Sequence, residues 1–131
     1  MTERPLSPHL SVYRMSRYTL LTSILNRATG LVLSLGLILL VYWLVATASG
    51  GATYRGARAV LSLGVLKAVY VILLATFSYH LFAGIRHLIW DTGRGLERAQ
   101  SKRSAALVVI ASILLFVGLA WWALHSGAHA P

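Results

Sequence analysis

Two histidines and a glycine pose the chemical question. In Phe77–Asp91, F-S-Y-H-L-F-A-G-I-R-H-L-I-W-D, His80 lies near the middle of an apolar segment. Gly84 follows it by four residues and His87 by seven. At about 100° per residue these offsets return to nearly the same face of a helix. That face offers a metal-capable imidazole, a gap with no side chain, and a second imidazole about 10 Å further along the axis. A flat cofactor can lie against such a surface. An ionisable group deep in an apolar span is costly, which makes His80 a candidate site. Alone, it has a second reading, as a neutral imidazole that hydrogen-bonds a neighbouring helix.

The elements that must hold this face are membrane spans. Of the 131 residues 57% are hydrophobic and only 11% charged, and the apolar residues are gathered in blocks. Ala28–Ala46, Ala68–Ile85 and Ser104–Leu124 each lack Asp, Glu, Lys and Arg. As helices they reach about 27–32 Å, the thickness of a bilayer's hydrocarbon core. The expected fold is all-α: three transmembrane helices over about 22–47, 62–90 and 103–125, within an anchor domain of residues 19–131. Tyr42, Trp43, Trp121 and Trp122 sit where aromatic belts belong. The loop Ser49–Arg58, S-G-G-A-T-Y-R-G-A-R, carries no recognisable chemistry.

A net charge of +9 is compatible with nucleic acid, but its placement argues for a lipid bilayer instead. Arg4, Arg14, Arg17 and Arg27 precede or enter the first span, and Arg86, Arg94, Arg98, Lys102 and Arg103 flank the second connection. The positive-inside rule then puts the N-terminus and that connection in the cytoplasm and the C-terminus outside. Residues 1–18 hold two prolines and no apolar core, so they read as an irregular cytoplasmic segment and not a signal peptide. With no cysteine there is no thiolate or disulfide chemistry. A multi-pass protein of a bacterial inner membrane is the expectation.

The first span opens with unusual polarity, S-I-L-N-R-A-T-G at Ser23–Gly30. Ser23, Arg27, Gly30 and Ser34 are spaced four, three and four, one stripe of small and polar groups suited to a helix contact or a cavity. Arg27 either snorkels to the headgroups or meets an anionic or polar ligand head, and the stripe favours the second. If His80 holds a haem, its carboxylates point to the polar side, where His87, Arg86 and Arg27 are available to pair with them. His80 and His87 share one helix face and cannot clamp one iron from both sides. A six-coordinate haem therefore needs its other ligand from another subunit. His9, His125 and His129 lie in polar or terminal segments, away from that depth.

Three motifs in this order, R-P-L-S-P-H-L-S-V-Y at Arg4–Tyr13, S-I-L-N-R-A-T-G at Ser23–Gly30 and H-L-F-A-G-I-R-H-L-I-W-D at His80–Asp91, resemble the cytochrome b556 subunits of succinate dehydrogenase. These are membrane anchors of respiratory complex II. The third span matches them only in length and apolar character. The resemblance implies that His80 ligates haem b, with the second ligand from a second small anchor subunit. It implies that Ser23 and Arg27 help form a ubiquinone site near the iron–sulfur subunit, and that His87 and Arg27 lie near the haem propionates. The N-terminal motif would lie close to the iron–sulfur subunit. Many relatives have histidine where this chain has Asn26, which keeps a hydrogen-bond donor but no charge. Succinate oxidation itself would belong to a flavoprotein subunit and not to this chain. The alternatives are an anchor of quinol–fumarate reductase and a haem-free structural membrane subunit.

Overall fold

The computed structural model describes residues 17–126, which form helices α1 (Arg17–Ser49), α2 (Gly51–Leu61), α3 (Gly64–Asp91) and α4 (Arg98–Ser126). Three of them, α1, α3 and α4, are long and apolar enough to cross a membrane. The chain is an integral membrane protein of all-α fold. With 33 and 29 residues, α1 and α4 overrun the expected spans at both ends, whereas α3, with 28, starts two residues later than expected and ends one later. At 1.5 Å per residue α1 is about 50 Å long, so its ends extend beyond the hydrocarbon into the headgroup layers.

α1 stops where Gly50 and Gly51 take φ values of 62° and 54°. Side chains seldom tolerate that left-handed conformation, and two glycines in succession turn the chain sharply. The expected loop after it is not a loop. Residues 51–61 form the amphipathic helix α2, which lies against α1 and buries Ala57 while Arg55 and Arg58 stay exposed. Its glycines argued for a turn, but its three alanines, two arginines and a leucine favour a helix. Packing of one face against α1 supplies the stability that eleven residues lack alone. Ser62 and Leu63 then reverse the chain, and the Tyr70 hydroxyl donates to the Leu61 carbonyl at 3.0 Å, clipping α3 to the end of α2. Between α1, α2 and α3 an open apolar groove of about 520 Å³ is lined by Leu39, Trp43, Leu61 and Leu73, with Arg58 at its rim.

The connection expected to reach Ser104 is also shorter. Gly93 and Gly95, at φ 77° and 76°, end α3, and α4 begins at Arg98. The basic residues Arg98, Lys102 and Arg103 thus sit on the first turns of α4.

α3 is the middle helix: it packs on α4 along one side and on α1 along the other, whereas α1 and α4 barely meet. Towards α3, α4 turns a stripe spaced four, three and four: Ser101, Ala105, Val108 and Ser112, all buried. Small side chains let helix backbones approach closely when lipid supplies no hydrophobic drive for association. The outer faces are apolar and bare. Leu31, Leu88 and Leu114 are 65%, 67% and 68% exposed, a surface for lipid or another subunit.

Candidate functional site

The α1–α3 seam contains His80. Three helical turns into α1, Thr29 and Gly30 lie side by side opposite it. The Thr29 hydroxyl oxygen is 3.0 Å from His80 Nδ1, 2.7 Å from the Leu25 carbonyl and 3.0 Å from the Asn26 carbonyl. Gly30 is where the ring fits. A Cβ added there would stand 3.2 Å from His80 Cε1, closer than ordinary contact, so a side chain at that position would require the ring to give by a few tenths of an ångström. Further along, Gly36 meets the Leu73 side chain still more closely. His80 Nε2 makes no hydrogen bond among the described residues. One turn along α3, the space beside Gly84 is open: nothing lies within 4 Å of where its side chain would be.

The other predicted residues divide between this seam and its surroundings. Ser23 is half-buried and Arg27 exposed on α1, within two turns of Thr29. Of the small and polar stripe, Gly30 faces α3, while Ser34 is exposed and folds its hydroxyl back to the Gly30 carbonyl at 2.9 Å. Asn26 is half-buried, and its Oδ1 is enclosed with no hydrogen-bond partner among the described residues. His87 is half-buried and meets the Trp90 ring edge-on, with centroids 5.4 Å apart.

Arg86 does something other than expected. The sequence reading turned it towards a cofactor carboxylate. Its guanidinium instead ties α3 to α4: Nε donates to Ser104 Oγ at 3.0 Å, and Nη2 to the Ser101 carbonyl at 3.0 Å and to Ser101 Oγ at 3.2 Å. Its cationic carbon also lies 4.0 Å from the centroid of Trp90, whose indole donates to the Gly95 carbonyl at 3.1 Å. Only 6% of Arg86 is exposed, and a buried cation is tolerated when its donors are filled in this manner. The reason is angular. Six residues from His80 is about 240° around the helix, on the flank that faces α4.

At the far end of the bundle His125 stacks on Trp121 at 3.9 Å and bonds its carbonyl, remote from the seam. His9, His129 and the motif Arg4–Tyr13 lie outside the described residues. Among the described residues no cluster of three or more His, Asp or Glu is arranged to hold a metal ion. Sequence reasoning missed Thr29. The available signal was its place beside Gly30 on a helix face already marked by small groups, and nothing in that pattern names His80 as its partner.

A family model described as "Succinate dehydrogenase/Fumarate reductase transmembrane subunit" matches residues 1–120. The succinate dehydrogenase cytochrome b556 subunit of Paracoccus denitrificans is 38% identical over 114 residues, 87% of each chain. The mitochondrial succinate dehydrogenase cytochrome b560 subunit of Bos taurus is 37% identical over 121 residues, 89% of this chain and 70% of the bovine one. The cytochrome b556 subunit of Rickettsia felis is 35% identical over 113 residues, 86% of this chain and 87% of that one.

Proposed function

The chain belongs to the succinate dehydrogenase/fumarate reductase transmembrane subunit family, and on that premise we propose that it is the cytochrome b-type membrane anchor of a succinate:quinone oxidoreductase, with His80 as an axial ligand of haem b. The observation that carries the reading is the state of His80. It is an imidazole in the middle of a membrane span, held at one nitrogen, with the other nitrogen unbonded and an open glycine position one turn away. A packing histidine would be expected to use both ring nitrogens or to be replaced by an apolar group, since an idle polar atom in hydrocarbon is costly.

The residues present suit the group. His80 supplies the ligand, and Gly84 leaves room on the same face for a flat ring. His87 and Arg27 are the residues of this chain assigned to the propionates. Arg86 is left out of that set because its guanidinium is engaged by α4. A haem bound here supplies a reversible one-electron centre. A further protein ligand to it would have to come from a second small anchor subunit, since His87 shares the face of His80.

The rest of the reading concerns quinone. Ser23 donates a hydrogen bond to a carbonyl oxygen of ubiquinone, and Arg27 stabilises negative charge that develops on that oxygen as the quinone is reduced. Both lie near the end of α1 that follows the N-terminal segment, the end at which a cytoplasmic iron–sulfur subunit would deliver electrons. The flavoprotein subunit beyond it carries succinate oxidation, and this chain carries no part of that reaction. The basic N-terminal segment and the turn after Asp91 face the cytoplasm of a bacterial cell, and the end of α4 faces the periplasm. Succinate oxidation is favoured over fumarate reduction because the relatives described above are all named for succinate dehydrogenase.

The test is a reduced-minus-oxidised absorption spectrum of the purified complex, for the wild type and His80→Ala. A low-spin b-type spectrum that vanishes or becomes high-spin in the variant is the expected result. An unchanged spectrum removes His80 from the site, and absence of haem from both samples leaves a structural anchor.

A further inference from the structure

We propose that Thr29 is the positioning residue for His80: its hydroxyl accepts the Nδ1 proton and thereby holds the ring in the tautomer whose bare nitrogen is Nε2. This rests on the reading of His80 as an iron ligand and adds the group that prepares it.

One proton must serve three polar neighbours. The Thr29 hydroxyl has a single proton and three polar neighbours, two backbone carbonyls at 2.7 and 3.0 Å and His80 Nδ1 at 3.0 Å. A carbonyl oxygen can only accept. If the hydroxyl proton pointed at Nδ1, the oxygen's lone pairs would face both carbonyl oxygens at these distances with nothing between them. With the proton on a carbonyl, the 2.7 Å contact to Leu25 has the length of a good O–H···O bond. Oγ1 then faces Nδ1 with a lone pair, so Nδ1 must be the donor. A neutral imidazole carries one N–H, and Nε2 is left as a lone-pair donor for a metal.

Gly30 completes the clamp. Because Cε1 sits against its bare backbone, the Nδ1–Cε1 edge of the ring is fixed by two adjacent residues of α1, and the ring cannot flip without losing the bond. Donation from the remote N–H would strengthen Nε2 as an electron donor to a bound haem iron, which would favour the ferric state and lower the midpoint potential. Thr29 therefore tunes the centre as well as aligning its ligand.

The experiment is a redox titration of the haem in the purified complex, with its low-spin electron paramagnetic resonance signal, for wild type, Thr29→Val, Thr29→Ala and Thr29→Ser. Valine keeps the shape and removes the acceptor. It should raise the midpoint potential; a tenfold loss of ferric preference reads as about 59 mV. Haem loss from an assembled Thr29→Val complex, with retention in Thr29→Ser, supports the assignment equally. Thr29→Ala removes the hydroxyl without overpacking the seam and decides the matter if the valine complex does not assemble. Thr29→Ser keeps the oxygen and should stay close to the wild type. Wild-type potential and signal in both Thr29→Val and Thr29→Ala overturn the proposal. A His80→Ala complex that keeps its haem spectrum would instead sink the ligand reading beneath it, a separate and recognisable outcome.

Discussion

α3 presents an ionisable side chain on each of its two packed flanks, and the two are treated in opposite ways. Arg86, towards α4, is almost fully enclosed. Its guanidinium spreads over Ser101, Ser104 and the Trp90 face. His80, towards α1, is half-buried and bonded at one ring nitrogen. A planar cation with several donors, satisfied by a neighbouring helix, is a structural tie. An imidazole with one nitrogen bonded and the other without a hydrogen bond keeps one ring nitrogen available. What separates the two is how fully each hydrogen-bonding atom is filled.

The largest effect that tests this contrast is on the His80 side. His80→Ala should abolish the low-spin haem spectrum of the complex, whereas Arg86→Met should leave that spectrum and its midpoint potential in place. Arg86→Met should instead lower the thermal stability of the detergent-solubilised complex. Losing hydrogen bonds to Ser101 and Ser104 while leaving those groups buried costs about 1–3 kcal/mol. If the methionine variant keeps its melting temperature but loses haem, the assignment of the two flanks is the wrong way round.

Gly30→Ala comes next. Its methyl must displace the His80 ring by a few tenths of an ångström or push the helices apart, and overpacking of this kind costs about 1–3 kcal/mol. The expected readout is a shifted haem signal with reduced haem content, and an unshifted signal would mean that the seam has slack. The smallest effect belongs to Ser112→Ala on α4. Its hydroxyl bonds only back to the Val108 carbonyl at 2.6 Å, which is already a helix acceptor. A change below about 1 kcal/mol, with no spectral change, is expected from thermal unfolding and the haem spectrum. A large loss there would show that the α3–α4 stripe depends on its serines and not just on their small size.

Much of this was legible along the chain. The three uncharged runs named three spans, and the aromatic and basic residues marked their ends. The spacing of His80, Gly84 and His87 singled out one face of α3, and the polar opening of α1 marked a contact surface at which Gly30 does meet α3. Two departures from expectation share a cause. The stretch after Ser49 was read as a loop from its glycines, although only Gly50 and Gly51 break the helix and Gly56 sits inside α2. Arg86 was assigned by nearness in sequence to His87, although neighbours in sequence point about 100° apart on a helix.

Hydropathy and periodicity are local properties. They act over one span and need no partner, which is why the all-α membrane fold, the depth of His80 and its candidacy as a ligand follow from the amino-acid order alone. Which group each face meets is set by how the helices rotate and approach one another. Thr29 and His80 are 51 residues apart, and Arg86 and Ser101 are 15 apart across a turn. No periodicity within one helix encodes those meetings. Only the packed bundle decided that the arginine would be consumed by α4 and that a threonine of α1 would stand behind the histidine.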